Sequence, residues 1–443
     1  MSEMAIAAII FVASFALIVS ERLNRTVVAL SGAVLMIALG VLDQQEALFA
    51  IDANTIALLV GMMIIVNVLR RTGVFRYAAW GTAFALGGDP WRMMVGFALF
   101  TAVASALLDN VTTILLIAPV TIALCDDLGL DPRPFLITQI IASNIGGTAT
   151  LIGDPPNIII GGATGLDFMA FLTNLGPVVV ILMPLMIGGF WLTYGRNGRL
   201  GSATSSLQKP EAEETDGEPV ANGQLLWISL AVLLLTIVGF FLHGFLHLQA
   251  GTVAVFGAVL LLLLSRIDPH DILAEVEWST IFFFIGLFII VGGLEATGIM
   301  NLVAQRVVTL VGGNTVLAAL GLLWFAGIAS ALVDNIPAVA TLIPLTFAVS
   351  RLLFPELAGL SDIELAANPA VTPLWWSLAL GACLGGNGTL VGASANVVAI
   401  GIAERRGDHI GFWGFTRIGL PFAVGSLIVA TIYVWLRYLA FGS

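Results

Sequence analysis

The sequence predicts an all-α polytopic membrane protein of about ten transmembrane helices plus two re-entrant hairpins, arranged as two inverted-topology repeats. Three observations carry this. The chain is 59% hydrophobic and only 10% charged, with a mean hydropathy of +1.03. Apolar runs of roughly 20 residues, long enough to cross a bilayer, recur along its whole length. The stretch Ser105-Ala106-Leu107-Leu108-Asp109-Asn110 returns 225 positions later as Ser330-Ala331-Leu332-Val333-Asp334-Asn335.

The first repeat is expected over 1–194. Its spans are read at 4–20, 26–42 and 54–70, followed by a hairpin (91–125) whose two apolar arms meet at Asp109-Asn110. An interrupted helix (134–164) and a last helix (170–194) complete it. The second repeat, 225–443, repeats the order with helices within 225–294, a hairpin at 314–353, a broken helix at 371–403 and a helix at 413–438. The 225-residue offset also pairs Gly32 with Gly257, Asp43 with Asp268, Gly61 with Gly286 and Thr72-Gly73 with Thr297-Gly298. After a longer loop near 354–370 the offset grows to 239, pairing Gly146-Gly147 with Gly385-Gly386, Thr150 with Thr389, Gly153 with Gly392 and Asn157 with Asn396. One offset held across loops is the signature of duplication. Residues 195–224 between the halves are acidic and bear Pro and Gly, a composition that cannot bury a core and reads as a flexible linker.

Five crossings and one hairpin per half is an odd number of crossings, so the second half is inverted relative to the first. Loop charges agree. With the N-terminus outside, all of the 17 basic residues except Arg306, Arg351 and Arg437 fall on the cytoplasmic side. Both termini are then outside and the linker is cytoplasmic. The run 4–20 has no Lys or Arg before it and reads as a retained span, not a signal peptide. Two cysteines give no disulfide framework; Cys125 is expected near the interface and Cys383 as a small buried hydrophobe. The histidines (His243, His247, His270, His409) fall at span ends or loops, and Trp91, Trp227, Trp278 and Trp413 near span starts, where an aromatic belt belongs.

Four polar clusters interrupt the apolar sequence. The first hairpin tip offers Ser105, Asp109, Asn110, Thr112 and Thr113, and the interrupted helix offers Ser143-Asn144 through Thr148, Thr150, Gly153, Asp154, Pro155-Pro156 and Asn157. The second half supplies Ser330, Asp334, Asn335 and Thr341, then Asn387, Thr389, Gly392, Ser394 and Asn396. Glycines let the backbone leave the helix and the proline pair stops one helix and starts the next, so free carbonyls face free N–H groups at mid-membrane. Ionisable groups at that depth are costly and mark function by default. Asp154 is matched by Ala393 in the other half, so it breaks the symmetry; a proton or cation carrier is expected there, with a cap on the following helix as the alternative. The clusters hold three carboxylates and no Lys, Arg or His, an environment better suited to a cation, a proton or a neutral hydroxylated solute than to a multiply charged anion. HExxH and P-loop motifs are absent, as are the Tyr-Asp and Gly-x-Gly-Asp motifs of intramembrane aspartyl proteases, so no enzyme reading finds its residues.

The stretches Leu108-Asp109-Asn110-Val111-Thr112-Thr113 and Ser143 to Asn157 resemble the ion transporter superfamily, and within it the ArsB and pink-eyed-dilution P-protein group. The resemblance implies a secondary transporter in which the first three spans of each half form a scaffold. The hairpins and last two spans would form a mobile domain of elevator type. Dicarboxylate carriers of the superfamily show Ser-Asn-Thr at the hairpin tips, where this chain has Asp-Asn. The leading expectation is a proton-coupled antiporter of the cell inner membrane that expels arsenite or antimonite as the neutral trihydroxide, with Na+/H+ exchange and anion or dicarboxylate transport as alternatives. Solute and ion would meet Asp109, Asn110, Thr112, Thr113, Thr148, Thr150, Gly153, Asp154, Asn157, Asp334, Asn335, Asn387, Thr389, Ser394 and Asn396, with Asp109, Asp154 and Asp334 coupling protons. Expected partners are a small inorganic solute, protons, sodium as an alternative ion at the hairpin tips, the lipid bilayer, a separate ATPase where one is used, and a second copy in a homodimer. No cofactor, bound metal or nucleic acid is expected.

Overall fold

In the computed structural model, residues 2–20, 22–196, 198, 200, 223–246 and 248–440 are described, and every regular element among them is helical. The first half holds α1 (Glu3–Ser20), α2 (Arg25–Ala38), α3 (Gln44–Phe49), α4 (Ala53–Arg70), α5 (Val74–Ala85), α6 (Pro90–Leu107), α7 (Asn110–Leu128), α8 (Pro132–Gly147), α9 (Pro155–Thr164) and α10 (Phe168–Phe190). The second holds α11 (Gly223–Leu242), α12 (Ala250–Ser265), α13 (Pro269–Ala274), α14 (Trp278–Ala296), α15 (Ile299–Val311), α16 (Thr315–Val333), α17 (Asn335–Leu353), α18 (Asp362–Ala367), α19 (Thr372–Gly385), α20 (Ser394–Arg405) and α21 (Phe412–Val434). Most of the linker 195–224 and His247 lie outside the described residues.

Among the described residues, ten helices are long and apolar enough to cross a membrane. They are not the ten spans expected from the sequence. The four hairpin arms α6, α7, α16 and α17 are each long enough, while Arg25–Ala38 and Ala250–Ser265 fall short of that length. The span expected at 26–42 stops at Ala38 because Gly40 takes a left-handed φ of 73°. Connecting helices α3, α5, α13, α15 and α18 were not anticipated. Several start on local caps: Asp43 and Glu46 form a capping box on α3, Asp268 with Pro269 opens α13, and Ser361 with Glu364 caps α18.

Small residues let the helices cross closely. A methyl group on Gly146 of α8 would lie 2.2 Å from the Ala102 carbonyl oxygen of α6, and one on Gly385 of α19 would lie 2.2 Å from the Gly327 carbonyl oxygen of α16. Elsewhere α4 packs on α12 and α2 on α14, each pair joining helices from different halves. Of the tryptophans at span starts, Trp227, Trp278 and Trp413 stay exposed, Trp227 and Trp413 at 73% and 70%, while Trp91 is partly buried against the core. Cys125, in the last turn of α7, is fully buried, because its face of the helix is covered by the apolar core.

Candidate functional site

Between α8 and α9 the chain leaves the helix over 148–154, and between α19 and α20 over 386–393. Each break frees carbonyls, and each is braced by an asparagine one turn later. Asn157 Nδ2 donates to the carbonyls of Thr148 (3.1 Å) and Thr150 (2.8 Å). Asn396 Nδ2 donates to those of Gly386 (2.8 Å) and Thr389 (2.9 Å). Hydroxyls tie the breaks to the hairpin arms: Thr150 Oγ1 donates to the Ala106 carbonyl at 2.6 Å and Thr389 Oγ1 to that of Ala331 at 2.5 Å. Gly153 passes against Gly147, where a methyl group would sit 2.5 Å from the Gly147 carbonyl oxygen. Thr148 Oγ1 bonds back to the Asn144 carbonyl at 2.7 Å. These members of the expected set hold the backbone in shape.

A second group converges at the centre. Asn110 Nδ2 at one hairpin tip and Asn335 Nδ2 at the other both donate to the same oxygen, Asp154 Oδ1, at 3.1 Å. Asn110 Nδ2 also reaches Asn144 Oδ1 (3.2 Å), and Asn144 Nδ2 donates to Asn387 Oδ1 and Asn396 Oδ1 (both 3.0 Å). Asp154 is 0% exposed. It occupies the position before α9 but makes no side-chain cap bond, so the capping alternative does not hold: the carboxylate turns to the hairpin tips instead. Among the described residues, no cation pairs with it. Asp154 Oδ2, Asn110 Oδ1, Asn387 Nδ2 and Thr113 Oγ1 are buried with no hydrogen-bond partner. Buried polar atoms are nearly always paired, so such a group of orphans points to a ligand, ion or water.

Beside this network lies a cavity of about 300 Å³ whose lining includes Asp109, Asp334, Ser394, Glu277, Thr280 and Arg25. Arg25 corrects the expectation that no cation enters the clusters. Its Nη1 lies 3.2 Å from Asp334 Oδ2 and 2.9 Å from Ser394 Oγ, and its guanidinium sits 5.2 Å over the Phe283 ring. Ser394 Oγ also donates to Asp334 Oδ2 at 2.9 Å. Asp109 behaves differently: it caps α7, accepting from the Thr112 N–H at 2.8 Å and from the Thr112 hydroxyl. The sequence read Arg25 as one more cytoplasmic loop charge. The available signal was Pro337, which stands where the first hairpin has Thr112 and so leaves Asp334 in need of another partner.

A helical membrane protein whose broken helices and hairpin tips gather a buried polar centre has the architecture of a secondary transporter. The chain belongs to the CitMHS citrate transporter family, whose description matches residues 15–381. An uncharacterized transporter of Mycobacterium tuberculosis is 44% identical over 437 residues, 98% of either chain. The human P protein is 36% identical over 522 residues, which cover this whole chain and 61% of that protein. Among solved structures, the YdaH transporter of Alcanivorax borkumensis superposes with a TM-score of 0.59 at 13% identity, covering 90% of this chain and 87% of that one. MtrF of Neisseria gonorrhoeae, from a class of antimetabolite efflux pumps, gives 0.61 at 12% identity, covering 92% and 85%. The family and the mycobacterial relative are described as transporters, and this chain is a multi-pass membrane transporter.

Proposed function

We infer that this transporter is coupled to protons, with Asp154 as the carrier, and works by alternating access between two inverted repeats. One observation carries the reading: both hairpin tips grip one oxygen of a fully buried carboxylate whose other oxygen has no amide, hydroxyl or cation partner, only the Cys383 thiol lying against the group. A buried carboxylate with no cation beside it is costly, so it needs a proton or a bound cation at each crossing. Pairing of α2 with α14 and α4 with α12 fits a scaffold shared by the halves, against which the hairpins and broken helices would move as an elevator. The positive-inside count supports termini outside, linker 195–224 in the cytoplasm and insertion in the cell inner membrane.

For the solute we propose arsenite or antimonite as the neutral trihydroxide, expelled in exchange for protons. Its hydroxyls would meet the free groups of Asn110, Thr113 and Asn387. Arg25 offsets Asp334, yet Asp109 and Glu277 in the cavity and Asp154 in the network beside it still leave the region acidic. A second reading, carriage of citrate or a related anion, is favoured by the family description and by Arg25. Sodium/proton exchange through the same carboxylates is the third. Proteoliposomes with an imposed pH gradient separate them by comparing arsenite, citrate and sodium. Arsenite accumulation that follows the gradient and disappears in Asp154→Ala supports the first. Accumulation of citrate or sodium instead replaces it, and flux that ignores the pH gradient for all three removes proton coupling.

A further inference from the structure

The two hairpin tips solve the same problem with different partners. In the second, Asp334 Oδ1 accepts the Ile336 N–H at 3.0 Å, and Asp334 Oδ2 accepts from Ser394 and Arg25. Asp334 and Ser394 belong to the hairpin and the broken helix, whereas Arg25 starts α2, which packs on α14, the helix bearing Phe283. The ion pair therefore ties the start of α2 to the hairpin tip, beside a contact of α14 with α17. Its two sides are unequal: the Asp334 side chain is 12% exposed and the Arg25 side chain 37%. The equivalent of Arg25 in the other half is Ala250, so the first tip has no such cation.

Resting on the alternating-access reading above, movement of hairpin and broken helix relative to α2 separates the pair. Asp334 is then a mostly buried carboxylate without a cation, which is strongly unfavourable. We propose that Arg25 is a tethered counter-cation for a second cation site at Asp334, beside the proton carrier Asp154: it displaces a cation from Asp334 when the cavity faces Arg25, and leaves Asp334 to load one on the opposite face. The other charged groups lining this cavity are Asp109 and Glu277, and Asp154 lies one asparagine away through Asn335. None of them is a cation, so Arg25 is the competitor the cavity provides. Arg25 is thus a positioning residue for ion release that sets the two faces apart.

The test is cation affinity on each face, measured for protons and for sodium with the full-length protein in oriented proteoliposomes. Arg25→Gln is expected to raise the apparent affinity on the cavity face by about tenfold, the size of effect that 1.4 kcal/mol gives, and to slow turnover. Affinity on the other face should stay within about twofold of wild type by the same conversion. Arg25→Lys, which keeps the charge, should retain the wild-type difference between faces. In an Asp334→Asn background, Arg25→Gln should add nothing, because the carboxylate being contested is gone. Equal changes on both faces, or a loss of thermal stability with unchanged affinities, would overturn the proposal. Wild-type protein that exchanges neither ion would bring down the transport reading beneath it, a separable result.

Discussion

Asp109 and Asp334 occupy the same place in two hairpins, yet one tip is self-contained and the other borrows. At the first tip, Asp109 has an extended backbone (φ −75°, ψ 157°) and is satisfied by Thr112 three residues on. At the second, Pro337 replaces that threonine and can offer neither N–H nor hydroxyl. Asp334 sits at φ 124°, a region few non-glycine residues enter, and turns to Ser394 and Arg25. Ser394 itself replaces Pro155 of the first half. A hydroxyl side chain and a proline have thus traded places between the two matching stretches: Asp334 keeps one local bond, from the Ile336 N–H, and takes its remaining partners from two distant helices. A strained backbone at such a point costs of order 1–3 kcal/mol and persists where its surroundings over-determine it. The lesson is that a recurring motif keeps its place at a helix start while its backbone and its electrostatics diverge.

The largest expected effect falls on the residue both tips share. Asp154→Asn keeps an oxygen for Asn110 and Asn335 but removes the titratable group. Accumulation driven by a pH gradient should drop to the level of protein-free liposomes, while solute counterflow without a gradient persists. Gradient-driven accumulation at the wild-type level would remove Asp154 as the carrier and leave the tips to be judged on their own.

Next comes the direct comparison. Asp334→Asn strips Arg25 and Ser394 of their charged partner, and should lower stability in detergent by about 1–2 kcal/mol, discounted because Arg25 is over a third exposed. Asp109→Asn should cost under about 0.5 kcal/mol, since asparagine caps a helix about as well as aspartate. Thermal melts of the two variants check this, and equal losses would mean that the tips are energetically alike. Smaller again, Pro337→Thr offers Asp334 the local partners that Asp109 has. A gain of up to about 1 kcal/mol is expected from the cap bonds added to the one Ile336 already gives, together with a weaker effect of Arg25→Gln on the melting temperature. If Arg25→Gln costs as much in the Pro337→Thr background as beside the native proline, the borrowed and local partners are not alternatives.

How much of this could be read beforehand follows from where each partner lies in the chain. Asn110, Asn335 and Asp154 stood out because amides and carboxylates are rare in apolar sequence, and the structure brings all three together. The breaks were marked by Gly146-Gly147, Pro155-Pro156 and Gly385-Gly386, residues that act on their own backbone. Arg25 gave no such signal. It begins a span beside Arg22, where a basic residue is ordinary, and its partner is 309 positions away. Local chemistry cannot report a contact of that range. The connecting helices α3, α5, α13 and α15 escaped for another reason: at 6, 12, 6 and 13 residues they are too short for a spanning run, and α3 and α13 depend on caps.

The smallest expected effect compares the starts of α8 and α19. Asp131 caps α8, accepting the Arg133 N–H at 3.0 Å and pairing with its guanidinium at 2.8 Å, while α19 starts after Val371 with no side-chain cap. Partial burial pushes the Asp131 carboxyl up, but the bonds and charge of Arg133 outweigh it and hold the group below its ordinary value. A carboxyl depressed in the folded state stabilises above its unfolded value and loses that contribution as pH falls through the folded one. Stability in detergent should therefore decline on acidification through the region near pH 4, where a free aspartate titrates. Asp131→Asn, which preserves a cap, should flatten that decline. The difference should stay under about 1 kcal/mol, because the pair is well exposed. Thermal melts between neutral and acidic pH measure it; parallel slopes for variant and wild type would show that α8 draws no more from its charged start than α19 does from an uncapped one.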